Sequence, residues 1–500
     1  MQALVRTRLN FFSFYNNLKR FVASKGMLPI WVCFVLVCHI FALETLALTV
    51  FTLFIIFVSV TNTKIQAILP PLVMAILPTS NTYPDLLQNP YIVARLWYII
   101  VCASLMFVAL IIAFVKRKLS FKPSWGFLGM MLLGLLMLLG GLMSPSYNFL
   151  NLAGGAMISA IFITLYIVFA FIAKEIDFDY IAHVFIAMSI VVLIQLFMLF
   201  LVNDIMYYML YGTFATIKRQ INLGWGISNL IATMLAVGIP FSVYLMTKHK
   251  NPIFMFVIFV FQTVGVMMTL SRAMMIFAVP FAFIGIVYAI IRCNKRGRWQ
   301  LAVGSGIVLI VTIIFVQWQW EQVLEFVGIL GDGRGRDDLY IDAWEAFLRN
   351  PVFGAGVAYR LNDPLRMTPL MLVHNTVLQF MMWGGIFGLV AFLLHSIQVL
   401  ATCFYKPNEK KIILLFAFGM IYAQSMLDVM MFFPQTLFYY ILFMVLLDAD
   451  AAKNKGFSMI GKEDKKAYIK QYHTSYTIYG NNFDVNEGLP CVLKKAFSLF

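Results

Sequence analysis

Apolar residues run through this chain in long, uninterrupted stretches, separated by short polar or basic clusters and by Gly, Pro and Asn. Stretches near the roughly 20 residues that span a hydrocarbon core recur about twelve to fourteen times, and each predicts a transmembrane helix. The clearer ones are Ala94 to Val115, Trp125 to Met143, Leu152 to Ala173, Tyr180 to Val202, Ile227 to Met246, Pro252 to Leu270, Ala273 to Ile291, Leu301 to Val316, Thr376 to Phe404, Ile412 to Leu427 and Pro434 to Leu447. Met27 to Val60 is too long for one upright helix and is interrupted by Glu44, so it reads as a hairpin of two short helices or one strongly tilted helix. Ile65 to Leu77, with Pro70 and Pro71 inside, reads as a third crossing or a re-entrant segment. Transmembrane barrel strands would alternate apolar and polar residues, which these stretches do not do. The predicted fold is all-α: a polytopic membrane bundle with one large loop that holds short helices. It divides into an N-terminal arm (1–26), an N-terminal bundle (27–317), the loop (318–375), three C-terminal helices (376–447) and a polar tail (448–500).

Composition agrees, since 62% hydrophobic and 12% charged residues, with a mean hydropathy of +0.87, exclude a soluble globular protein. The net charge of +15, from 37 Lys and Arg against 22 Asp and Glu, acquires meaning only when sorted by position. Basic clusters at Arg6–Lys25, Lys116–Lys122, Lys174, Lys248–Lys250, Arg292–Arg298, Lys406–Lys411 and Lys453–Lys495 fall on one side of the predicted spans, mostly as Lys. Lysine and arginine collect in cytoplasmic loops, so both termini are expected inside a plasma membrane, the long loop outside, and an odd number of crossings before Ala94. The opposite face carries Arg95, Lys218, Arg219, Arg272, Arg334, Arg336, Arg349, Arg360 and Arg366, all but one of them Arg. A guanidinium grips phosphate or carboxylate bidentately and keeps its charge when desolvated, so this set points to an anionic ligand.

The loop has its own pattern. Tyr340, Trp344, Phe347 and Leu348 recur at helical spacing, with Asp337 and Asp338 before them and Arg349 after, as the helix dipole favours. An amphipathic helix over Tyr340–Arg349, lying on the membrane or on the bundle, is expected to stop at Asn350-Pro351 and to lead into a flexible turn at Gly354-Ala355-Gly356. Gly331 to Arg336 forms a Gly-rich, Arg-bearing run that could cradle an anion. His374 stands beside Asn375 at the mouth of the Thr376 span, where an imidazole can take a proton from a hydroxyl. Ser271-Arg272 occupies a tight turn between two spans, and an Arg at such a mouth is costly unless it pairs. Lys218-Arg219 precedes a Gly- and Asn-rich span entrance. His39, His183 and His395 read as packed residues. The six cysteines avoid the outer loops, no metal-ligand spacing occurs, and the absence of a Walker A loop counts against an ATP-driven pump. The N-terminal arm does not have the pattern of a cleavable signal.

In order, these elements resemble the O-antigen ligase and polysaccharide polymerase superfamily of bacterial envelope glycosyltransferases. The resemblance rests on Arg219, Ser271-Arg272, Gly335-Arg336 before Leu339-Tyr340, Asn350-Pro351-Val352-Phe353-Gly354-Ala355-Gly356, His374-Asn375, and Trp383-Gly384-Gly385-Ile386-Phe387-Gly388. It spans roughly 218–388, and the span pattern extends it over most of the chain. One departure is Ala273 after Ser271-Arg272, where the family often has Gly. The resemblance implies an inverting, metal-independent glycosyltransferase without a cofactor. It would move a glycan from an undecaprenyl-pyrophosphate donor to the hydroxyl of a glycan, lipid or protein acceptor at the outer membrane face, as ligase or polymerase. It further implies His374 as the base, Arg272 and Arg336 as ligands of the pyrophosphate with Arg219 assisting and Arg334 as the alternative to its neighbour Arg336, and Lys218, Asn375 and Tyr340 in support. The expected partners are membrane lipids and these substrates, with no nucleic acid. A flippase or transporter of lipid-linked oligosaccharide is the competing reading. Such proteins bind near the bilayer midplane and show internal repeats, whereas the spans here hold few charges and the two halves show no evident repeat.

Overall fold

The computed structural model describes residues 13–453 except 62, 81–95, 118–123, 146, 174–175, 203–216, 219, 319, 321–335 and 359–371. Its long elements are all α-helices: α1 (Leu28–Ile40), α2 (Glu44–Val60), α3 (Leu96–Lys116), α4 (Trp125–Leu139), α5 (Phe149–Ala173), α6 (Phe178–Val202), α7 (Ser228–Lys248), α8 (Ile253–Met268), α9 (Arg272–Arg292), α10 (Lys295–Trp318), α11 (Arg336–Arg349), α12 (Thr376–Phe404), α13 (Glu409–Leu427) and α14 (Pro434–Lys453). Among the described residues, eight helices are long and apolar enough to cross a membrane, or nine if the bent pair Ser13–Val22 and Lys25–Ile40 forms one span. α2, α4 and α8 are shorter apolar helices that run beside them. The sequence expectation of about twelve to fourteen crossings is reached only when the short helices and α14 are included.

Helices joined by short turns run in opposite directions, so the bundle has two ends of different chemistry. At one end Lys25 pairs with Asp179 and Lys248 with Glu409. There, too, Arg117 donates to the Thr63 carbonyl, Lys411 Nζ to the Thr402 carbonyl at 3.1 Å and Asn408 to Asp450 at 2.7 Å. This basic end holds Lys64 as well, which follows Thr63. The other end carries α11, His374, Ser271 and Lys218.

The ambiguous N-terminal region is resolved. α1 and α2 form a hairpin, broken at Ala42 by a left-handed φ of 52°. The segment 65–80 traverses the bundle. Gln66 donates to the Ala23 carbonyl at 2.9 Å, and His39 Nδ1 donates to the Thr79 carbonyl, also at 2.9 Å, so the segment covers the length of α1. Only Ile65–Ile68 and Leu69–Val73 are helical in it. Non-helical backbone at that depth must find partners inside the protein, and it does: Tyr439 donates to the Val73 carbonyl at 2.9 Å and Gln195 to the Leu77 carbonyl at 2.8 Å.

α7 is the central mast, buried on almost every side, as a helix apolar all round must be. Phe241 on α7 stacks on Phe185 of α6 with ring centres 4.7 Å apart, and Phe443 and Tyr439 of α14 close the cluster. α10 is the opposite case, with only Gly297 and Leu301 buried, and it forms the outer wall.

The turn 350–357 is fixed, not flexible as its glycines suggest. α12 breaks at Gly385, whose φ of 64° and ψ of −148° are non-helical. The break releases backbone groups that the turn uses. Ala355 N–H donates to the Met382 carbonyl at 2.7 Å and Gly356 N–H to the Trp383 carbonyl at 3.2 Å, while Ile386 N–H donates to the Pro351 carbonyl at 2.7 Å. Gly141 N–H, beyond α4, donates to the Phe353 carbonyl at 2.8 Å. A Cβ on Gly354 would stand 2.5 Å from the Trp383 carbonyl carbon, and one on Gly385 2.5 Å from that of Val352. The glycines of both motif elements therefore let two backbones touch.

α11 also departs from expectation. It starts at Arg336, four residues earlier than its apolar pattern suggests, and lies against α12 through the buried Ala343 and Ala346. Tyr340 and Phe347 are half-buried, but Trp344 and Leu348 are exposed. Small side chains set the close packing, so the larger apolar residues are turned outward.

Candidate active site

Four helices begin around one cluster at the loop end: α7 at Ser228, α9 at Arg272, α11 at Arg336 and α12 at Thr376. Each turns the positive end of its dipole toward the cluster, a setting that favours an anion. α13 arrives from the other direction and ends at Asp428, which is 2% exposed.

Asp428 organises the cluster. Its Oδ1 accepts from His374 Nδ1 at 2.8 Å and from the Val429 N–H at 2.8 Å. Its Oδ2 accepts from Asn229 Nδ2 at 2.8 Å. Burial by itself would raise the Asp428 carboxyl, but the hydrogen bond and charge of His374, with the donors from Asn229 and Val429, hold it below the usual carboxylate range. The carboxylate can only accept, so Nδ1 of the neutral imidazole carries the hydrogen. Nε2 is then left with a lone pair, on a side chain that is 39% exposed.

His374 takes a left-handed φ of 56°, and Leu270, just before Ser271, has a φ of 55°. Bulky residues adopt this region at a cost, and such positions concentrate at functional sites. Neighbouring contacts hold His374 in place. Tyr340 donates from its hydroxyl to the His374 carbonyl at 3.3 Å, and burial raises its phenol, which stays a neutral donor. Asn375 caps α12 by accepting from the Val377 and Leu378 N–H groups at 3.0 and 3.1 Å, and ties α12 to α13 by donating to the Met426 carbonyl at 3.0 Å.

Among the sequence-predicted residues, Arg336 donates from a guanidinium nitrogen to the Leu427 carbonyl at 2.7 Å. That carbonyl immediately precedes Asp428, so the cation lies beside the His374–Asp428 pair. Arg272 opens α9 one residue after Ser271, whose hydroxyl donates to Asn229 Oδ1 at 3.0 Å. Lys218 Nζ donates to the same oxygen at 3.4 Å. The structure thus gathers His374, Arg336, Tyr340, Asn375, Ser271-Arg272 and Lys218 at one place. Arg219, Arg334 and the Gly331–Gly335 run lie outside the described residues. Among the described residues no group of three or more His, Cys, Asp or Glu side chains is placed to hold a metal ion.

Sequence reasoning missed Asp428 and passed over Asn229 as part of a polar entrance. A signal for Asp428 existed: it is an acid between two apolar spans at the mouth of the bundle, where an unpaired charge is expensive. His39 and His183, by contrast, are packed, with Nδ1 of each against a backbone carbonyl. His395 is buried against Gln398.

Residues 255–393 match the family model described as O-antigen ligase. The matched stretch runs from α8 into α12 and contains Ser271-Arg272, Arg336, the 350–357 turn, His374 and Gly385; Lys218, Asn229 and Asp428 lie outside it. No curated protein matches the chain. The matched domain and the motif order agree: through residues 255–393 this multi-helix membrane protein carries a domain similar to the O-antigen ligase family.

Proposed function

We propose that this protein transfers a glycan from an undecaprenyl-pyrophosphate donor to an acceptor hydroxyl at the outer face of the plasma membrane, by a single inverting displacement. The carrying observation is the His374–Asp428 pair beside Arg336 and Ser271-Arg272. An acceptor O–H gives its proton to His374 Nε2 while its oxygen bonds to the anomeric carbon. The bond from that carbon to the pyrophosphate oxygen breaks, and its electron pair leaves with the pyrophosphate. Arg272 and Arg336, helped by Arg219 or Arg334 and by four helix N-termini, hold the donor and balance the growing negative charge, so stabilisation is greatest where charge develops. Asp428 keeps His374 oriented and stabilises the imidazolium. The lysine clusters support a cytoplasmic location for the opposite end of the bundle and for both termini.

The test is transfer by variants that insert and fold normally. His374→Ala is expected to lower kcat by about 10²- to 10⁴-fold, the usual weight of a general base. Arg336→Ala is expected to raise the donor KM and lower kcat, with Arg336→Lys recovering only part, because lysine cannot reproduce the fork. Transfer at the normal rate by folded His374→Ala would overturn the reading. In cells lacking the protein, lipid-linked glycan should accumulate outside the membrane; accumulation inside would mean a flippase.

A further inference from the structure

The Asn229 amide receives contacts from both segments that carry proposed donor-binding residues. Its Oδ1 accepts from Ser271, which adjoins Arg272, at 3.0 Å and from Lys218, which adjoins Arg219, at 3.4 Å. Its Nδ2 donates to Asp428 at 2.8 Å, and Asp428 accepts from His374. Only this orientation suits the amide. Turning it over would set its NH₂ against the Lys218 ammonium and its oxygen against the Asp428 carboxylate, two repulsive contacts in a buried site. Ser271 is fully buried and has one proton to give. The alternative acceptor, Gln424 Oε1, is at 3.5 Å, so Asn229 is the nearer.

We infer that Asn229 is a positioning residue, through which the donor-binding segments fix the proton arrangement of the His374–Asp428 base. The order of donation runs from Ser271 and Lys218 to Asn229, and from Asn229 to Asp428. With Asn229 and Val429 both donating to it, Asp428 stays a carboxylate, and His374 Nδ1 must supply the remaining hydrogen. Nε2 is thereby kept free for the acceptor proton. Displacement of Lys218 or of the Ser271-Arg272 turn changes the hold on the amide, so an ill-seated donor leaves the base poorly set. This inference rests on the proposed transferase reading.

Its test is the pH dependence of kcat/KM for the full-length protein in nanodiscs. The donor is the lipid-linked glycan that accumulates in cells lacking the protein. The ionisable groups around the pair are Lys218 before α7, Arg272 on α9, Arg336, Asp337 and Tyr340 on α11, and His374 and Asp428 themselves; the assay leaves all of them in place. Asn229→Ala removes one donor from Asp428, so the pair holds its inactivating proton more tightly. The acidic limb should move up by about one pH unit, the worth of a hydrogen bond to a charged group. At neutral pH, kcat should fall about tenfold, as when a supporting hydrogen bond to a reactive side chain is lost. Ser271→Ala removes a single oxygen and protects the test should Asn229→Ala fail to fold; its limb should move the same way by less. Ser271→Thr, which keeps the hydroxyl, should restore the original limb. A uniform loss of activity with the limb unmoved in folded Asn229→Ala and Ser271→Ala would mean a merely structural role and overturn the inference. With His374→Ala inactive, that result leaves the transferase reading intact; normal transfer by His374→Ala removes both.

Discussion

The first dozen residues around the start of α12 contain two motif elements that do opposite work. At His374 the chain exposes a side chain that Asp428 holds by a hydrogen bond, while Tyr340 donates to its backbone carbonyl and Asn375 ties the start of α12 to α13. At Gly385 side chains are excluded, and backbone groups of α12 and of the 350–357 turn bond directly to one another. In the proposed reaction the first region handles a proton and an anion. The second positions α11, and with it Arg336 and Tyr340, over the first. A shared sequence motif is thus a mixture of reactive residues and of residues that keep the reactive ones at the right distance, and mutations should separate the two kinds.

The largest effect is expected from Asp428→Asn. It preserves shape and removes the charge that orients His374, so kcat should fall by about a hundredfold or more, while donor binding measured by titration changes little. A drop in donor affinity equal to the loss of kcat would move Asp428 from the base to the donor site. Gly385→Ala should act on the other region. Its conformation is open essentially to Gly alone, so detergent-solubilised protein should lose about 1–3 kcal/mol of stability on thermal unfolding, with the surviving folded fraction transferring glycan within a few-fold of normal. An inactive but fully stable Gly385→Ala would erase the distinction between the regions.

A pH series sharpens the comparison further. The folded-state carboxyl of Asp428 lies below its ordinary value of 3.8. Its stabilisation is therefore complete above that value and is lost only as the pH falls through the lower folded one. The difference in unfolding temperature between the native protein and Asp428→Asn should stay constant from neutral pH down to about 5 and shrink below the carboxylate range. The smallest effect belongs to the basic end. Lys248→Ala breaks a half-exposed ion pair with Glu409, and exposed pairs contribute about 0–1 kcal/mol. Unfolding should shift slightly and transfer rates should not change.

Much of the fold was legible in the sequence because a bilayer demands continuous apolar length, and among the described residues Lys25, Arg117, Lys248 and Lys411 do gather at one end of the bundle. The 65–80 segment was ambiguous for a physical reason: it crosses with little helix, and its backbone is satisfied by Tyr439 and Gln195, which lie far away in the chain. The site was legible where single residue types are informative, as with His374 and Arg336. Asp428 was missed because an acid at a span end signals only that it needs a partner; its role shows once its three donors, Asn229 of α7, His374 ahead of α12 and the Val429 N–H, are in place. The Gly354-Ala355-Gly356 turn was misread as flexible since left-handed glycines serve loose and tightly packed backbones alike. Only the partner backbone, here the broken α12, decides between them.

The break in α12 also bears on how the protein enters its membrane. Gly385 lies nine residues past Thr376, roughly 13 Å along the helix, deep enough that the unpaired carbonyls of Met382 and Trp383 would face hydrocarbon at a cost of several kcal/mol each. Their partners, Ala355 and Gly356, leave the ribosome before α12 does. The chain thus makes the plug before the hole. Stable insertion of α12 is therefore expected to need the 350–357 segment folded back onto it, so a deletion or glycan tag within 350–357 should impair biogenesis of the last three helices before it impairs any chemistry.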